Sequence, residues 1–163
     1  MKRKTAMLEQ VLIEYLFLDD AACDRCRDTG RVLQEVIGVI APALELAGYA
    51  VTFRRIRIEN EEMAVRFRLL SSPTIRVRGK DVFGQVEESS CGCCSSICGM
   101  DVDCRSYTFD GRSHDTPPAA MLARALLRSI FGGEEDRCGA ETYTLPENLR
   151  NFFAGKKRQL PCV

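Results

Sequence analysis

The sequence has no tryptophan and a single histidine, His114, in 163 residues. The first absence excludes a tryptophan stacking platform. The second excludes His-rich metal sites and paired-imidazole acid–base chemistry. Neither charge sign is in excess: 23 Lys and Arg balance 23 Asp and Glu, for a net charge of 0. The basic footprint of a nucleic-acid binder or an anionic-membrane binder is therefore missing. No apolar run approaches the roughly 18 residues of a transmembrane helix, and no internal repeat is apparent. Met1-Lys2-Arg3-Lys4 has the charge of a signal n-region. The apolar stretch after it is broken by Glu9 and Glu14, though, and ends in Asp19-Asp20 without a small-residue cleavage site. The expectation is a cytoplasmic protein with no nucleic-acid and no membrane partner.

What the chain has instead is cysteine. There are nine, an odd number that cannot close into an intramolecular disulfide framework. In a reducing compartment, clustered thiols point to redox chemistry or metal binding rather than structural disulfides. The length suits one domain, 1–163, with a core of its own.

Residues 11–19 (VLIEYLFLD) read as a buried strand. Over 24–47, Leu33, Val36, Ile37, Ile40, Leu44 and Ala47 share one helical face. Gly48 is placed to end that helix, and Pro42 is placed to kink it. Residues 51–58 (VTFRRIRI) read as a strand whose apolar parity shifts midway, the mark of a bulge or a strand end. Asn60-Glu61-Glu62 opens a short helix with Met63, Phe67 and Leu70 on its apolar face, stopped by Ser71-Ser72-Pro73. Residues 74–78 and 81–83 form a hairpin around Gly79-Lys80. Residues 84–115 are acidic and rich in small residues, a cysteine-rich insertion with too few apolar groups for a core of its own; Arg105 to Phe109 can add a short strand. Thr116 caps a helix that starts at Pro117-Pro118, buries Met121, Leu122, Ala125, Leu126 and Ile130, and ends at Gly132-Gly133. The tail, 134–163, carries one short amphipathic helix in which Leu149, Phe152 and Phe153 can dock on the core.

Cys23-Asp24-Arg25-Cys26 stands where the first strand hands over to the first long helix. A helix N-terminus presents unpaired N–H groups and partial positive charge, which favour thiolate. Cys23 is thus the expected nucleophile. Cys26, one turn on, is the resolving thiol, and Arg25 is a nearby cation that tunes the Cys23 pKa downward. The chain resembles the thioredoxin-like superfamily in this Cys-x-x-Cys after a strand and in Ser-Ser-Pro-Thr-Ile (71–75) before a hairpin. It is most similar to a bacterial and archaeal branch with a cysteine-rich insertion. The resemblance implies an α/β, three-layer thioredoxin-like fold, with a mixed central sheet flanked by helices. It also implies that Pro73 is cis and faces the cysteines, and that Ser72 pairs with substrate backbone. The activity implied is thiol–disulfide exchange with a protein or small-molecule disulfide or dithiol partner, with no cofactor required. Asp24-Arg25 stands in place of the Gly-Pro of thioredoxins, and Phe17 stands where their buried acid sits.

The second constellation is Cys91, Cys93, Cys94, Cys98 and Cys104. Four thiolates suffice for tetrahedral zinc, and crowded thiolates without histidine also suit Cu(I), As(III) or Hg(II). Three readings stay open for this segment: a soft-metal or metalloid site, a redox relay to Cys23, or a loop of oxidation-prone thiols. A further reading of the whole chain is an interaction module without turnover. Cys138 and Cys162 read as incidental, His114 as a solvated loop residue, and Gly155-Lys156-Lys157-Arg158 as a solvated basic run.

Overall fold

The computed structural model describes residues 7–132 and 142–159; Cys138, Gly133 and Cys162 lie outside them. The elements are β1 (Glu9–Phe17), α1 (Asp24–Leu46), β2 (Tyr49–Arg57), α2 (Glu61–Arg66), β3 (Thr74–Val77), β4 (Lys80–Asp81), β5 (Glu87–Ser90), α3 (Gly92–Cys98), β6 (Asp103–Phe109), β7 (Arg112–His114), α4 (Ala119–Phe131) and α5 (Glu147–Gln159). Four strands form a mixed sheet in the order β2-β1-β3-β4. β1 runs parallel to β2, while β1/β3 and β3/β4 are antiparallel. Helices flank this sheet, as expected for an α/β chain, with α1 packed on β2 and α4 on both α1 and β3.

β1 is central because it is apolar on both faces: Val11, Ile13, Tyr15, Leu16 and Phe17 are all buried, as is Leu18 just after it. α1 lies close over it where Gly30 has no side chain, since a Cβ there would meet the Tyr15 ring at 2.9 Å. The helix continues past Pro42 to Leu46, and Gly48, at φ +94°, turns the chain into β2. The parity shift in β2 is not a bulge. Its register with β1 is unbroken from Glu9↔Tyr49 to Phe17↔Arg57, and Ile56 is buried beside Leu16 on the opposite face from Phe53. Asn60 caps α2, accepting from the Met63 N–H at 2.8 Å. That helix ends at Phe67, before Leu70, so Leu69 rather than Leu70 is buried. The N-cap of α4 is Pro118, not Thr116.

The insertion is more ordered than its composition suggests. β5, β6 and β7 form a second, antiparallel sheet, and α3 lies between β5 and β6 in sequence. His114 sits on β7, opposite Tyr107. α5 covers α3 and touches α2, with Leu149, Phe152 and Phe153 buried as expected. The α3–α5 approach requires Gly155, because a Cβ there would run into the Cys98 carbonyl and come within 2.9 Å of the Cys98 Cβ.

Candidate metal centre

Asp19 shapes the turn that delivers Cys23. Its carboxylate accepts from the Ala21 and Ala22 N–H groups, both at 2.9 Å, and is held by Arg57 at 3.2 Å. Cys23 is then the N-cap of α1, with extended backbone (φ −105°, ψ 115°) and no side-chain capping bond, so its thiol is free to face elsewhere. Cys91 repeats this arrangement at the start of α3 (φ −115°, ψ 104°). Cys91-Gly92-Cys93-Cys94 is in fact a second Cys-x-x-Cys opening a helix, with the same spacing as 23–26. Cys104 comes from β6.

These elements bring Cys23, Cys91, Cys94 and Cys104 together, all four sulfurs within 4.8 Å of one another. Cys23 Sγ lies 3.9 Å from Cys91 Sγ and 3.7 Å from Cys94 Sγ, and Cys104 Sγ lies 3.2 Å from Cys94 Sγ. None of the four is more than 2% exposed. The described cysteines are all free thiols. Of the five insertion cysteines expected to act together, three do, and the fourth member comes from the core. Cys93 is half-buried and outside the group. Cys98 is buried, but its thiol faces the carbonyls of Met100 (3.4 Å) and Ser95 (3.9 Å).

The thiols are electrostatically unequal. Hydrogen bonds from Cys104 first, and then from Cys26, Cys91 and Cys94, hold the Cys23 thiol far below its ordinary range. Cys91 falls to about 7, chiefly through its bond with Cys104. Cys104 is pushed up by its bonds with Cys23, Cys91 and Cys94. For Cys94 the Cys104 bond lowers the pKa, but the Cys23 and Cys91 bonds and burial together raise it. The acidity expected of Cys23 thus comes from neighbouring thiols, and it occurs at a sulfur with 0% exposure.

Cys26 is outside the group but next to it. It is buried, its pKa is raised by the hydrogen bond to Cys23 and by burial, and its sulfur lies 3.5 Å from the Ser72 hydroxyl. That hydroxyl accepts from the Leu18 N–H at 3.1 Å, and Tyr15 donates to the Cys26 carbonyl. The Ser72–Pro73 peptide is cis. The Ser72 carbonyl accepts from the Arg105 N–H of β6 at 2.8 Å, so the insertion already pairs with this backbone. Arg25 ties the same parts together: its guanidinium donates to Ser89 Oγ (2.9 Å) and to the carbonyls of Ser90 (2.7 Å), Ser89 (3.2 Å) and Cys104 (3.3 Å), and it pairs with Asp115 at 3.0 Å. Its position is that of a tether between α1 and the β5–β6 sheet. Among the described residues, no helix is long and apolar enough to cross a membrane.

No curated protein and no solved structure matches the chain. One family model does, over residues 10–126, a span that contains all four cysteines of the group and the paired Cys26. The chain belongs to the DUF2703 family, a domain of unknown function.

Proposed function

We propose that this protein binds one thiophilic metal ion, of which zinc fits best, through Cys23, Cys91, Cys94 and Cys104. The observation that carries this reading is the mutual approach of four buried sulfurs. A tetrahedral ion with metal–sulfur bonds of roughly 2.3 Å has sulfur–sulfur edges of about 3.8 Å. Three of the six separations, 3.9, 3.7 and 3.2 Å, bracket that edge and all six lie within 4.8 Å, so an ion enters with shifts of about an ångström or less. An all-sulfur tetrahedron favours zinc over the hard oxygen-seeking cations. Four protein ligands leave no open position, which is the pattern of a structural or stored ion rather than a hydrolytic one.

The reduced, anaerobically handled protein is expected to take up one zinc ion per chain by native mass spectrometry. Cobalt in the same place should give the intense thiolate-to-metal absorption of a tetrahedral four-sulfur site. Cys94→Ser and Cys104→Ser should lose both signals; Cys93→Ser and Cys98→Ser should keep them. Offering Cu(I) and As(III) in turn tests the competing ions. Failure of every ion to bind, or binding unchanged when Cys91, Cys94 and Cys104 are all serine, would remove this reading.

A second reading, thiol–disulfide exchange by a thioredoxin-like protein, is supported by the sheet order and by Cys26 lying against Ser72 beside the cis Pro73. In this reading Cys23 attacks, Cys26 resolves, and Ser72 and Pro73 seat the partner. It ranks second because both thiols are buried and the Ser72 carbonyl is already bonded to Arg105.

A further inference from the structure

Cys23 belongs to two constellations at once. It is one of the four sulfurs of the proposed metal centre and also the first residue of Cys23-x-x-Cys26. Cys26, three residues after Cys23 in the first turn of α1, is buried against the Ser72 hydroxyl, yet it lies outside the four. With an ion bound, Cys91, Cys94 and Cys104 each share a lone pair with the metal. Cys26 is then the adjacent thiol whose sulfur remains uncommitted.

We propose that Cys23 and Cys26 form an oxidisable pair that takes hydrogen peroxide as its oxidant and, on closing, ejects the ion from the four-cysteine centre. The proposal rests on the metal reading above. Cys23 Sγ attacks one peroxide oxygen, the O–O bond breaks, and a sulfenic acid forms. Cys26 Sγ displaces that oxygen as water and the S–S bond closes. The first step releases hydroxide, which takes a proton from solvent, so the Cys23 thiolate, the Cys26 thiol, one hydrogen peroxide and one proton give one disulfide and two waters, with both electrons passing from sulfur to oxygen. A disulfide sulfur is no longer a thiolate ligand, so the site falls to three ligands and the hydrated ion leaves.

Burial selects the class of oxidant. Neither Cys23 nor Cys26 is exposed, and β6 pairs with the Ser72 carbonyl beside them, so a small peroxide reaches this place more readily than a folded disulfide partner. The coupling is reciprocal. One sulfur cannot serve both bonds, so whatever affinity for the ion is lost on oxidation appears as a higher reduction potential of the pair when the ion is bound, which makes the loaded pair harder to oxidise. Each tenfold of lost affinity corresponds to about 30 mV for this two-electron couple.

The test uses zinc-loaded wild-type chain and the Cys26→Ala and Cys26→Ser variants, each mixed with hydrogen peroxide and a chromophoric zinc chelator. Wild type is expected to release one zinc per chain, and the variants at least tenfold more slowly. A dithiol reductant should restore zinc binding to the oxidised wild type. Trypsin cuts after Arg25, so the disulfide would appear as a peptide ending at Arg25 cross-linked to Cys26-Arg27. That measurement needs only the wild-type chain and stands even if the variants do not fold. Equal release with and without Cys26, or a cross-link joining Cys94 to Cys104 instead, overturns this inference and leaves the metal site intact. A reduced wild type that takes up no zinc before peroxide is added overturns the metal reading and this one with it.

Discussion

The affinity of the reduced protein for zinc is expected to climb about a hundredfold to a thousandfold per pH unit near neutrality. Each ligand must be a thiolate when the ion is bound, so protons compete with metal and acid weakens binding. Cys23 is already held as thiolate at pH 7, and Cys91 titrates at about 7. Cys94 and Cys104 keep their protons. Binding therefore displaces between two and three protons, and each contributes about a tenfold change per pH unit by linkage. Four ordinary thiols, with pKa near 8.5, would displace almost four. Chelator competition at several pH values reads the slope directly. A slope near four would mean that the hydrogen bonds to Cys23 do not set its charge. A slope near zero would mean that the ligands are not thiols.

The partition of Cys23 from Cys26 was the part of the site least legible in the sequence. The long elements were readable because their apolar spacing matched their period: Leu33, Val36 and Ile37 on α1, Leu122, Ala125, Leu126 and Ile130 on α4. α3 was not, because Gly92-Cys93-Cys94-Ser95-Ser96-Ile97-Cys98 offers one large apolar side chain. What fixes it is burial of the cysteines themselves, which pack as small hydrophobes, together with the cover given by α5. The 91–94 spacing, identical to 23–26, was the available signal for two members of the centre. Nothing local marks that Cys23 meets them. That contact exists because β6 pairs with Ser72 and Arg25 reaches the second sheet, both of which are tertiary facts.

Arg105→Ala is expected to destabilise the fold by about 3 kcal/mol, the low end of what losing one partner of a buried ion pair costs. Arg105 is 1% exposed, and its guanidinium meets Asp81 at 2.5 and 3.2 Å, Thr74 Oγ1 at 3.3 Å, and the carbonyls of Phe83 and Gln85 at 3.3 Å. Removing it leaves those acceptors without their donor. The low end applies because the Asp81 side chain keeps 27% exposure and water can reach it. The pair spans β6 and β4, so the loss falls on the joint between the two sheets. Urea unfolding of Arg105→Ala and of Arg105→Met with Asp81→Leu separates the causes. The double apolar variant should recover much of the loss, since it strands no charge. A single variant within about 0.5 kcal/mol of wild type would show that the joint is held by something else.

The four sulfurs are also unequally spaced along the chain. Cys91, Cys94 and Cys104 fall inside one short stretch, whereas Cys23 precedes Cys91 by 68 residues. Closing that longer loop costs about 1.5 kcal/mol more than closing the 91–104 loop, from its logarithmic dependence on length. On the metal-binding reading, an ion met during folding is therefore caught first by three neighbouring thiolates, while the chain is still open. Its fourth bond waits for the insertion to settle against the turn after β1. Metal uptake on that reading is expected to have two kinetic steps, a fast local capture and a slower closure, the second running at the speed with which the two sheets find each other.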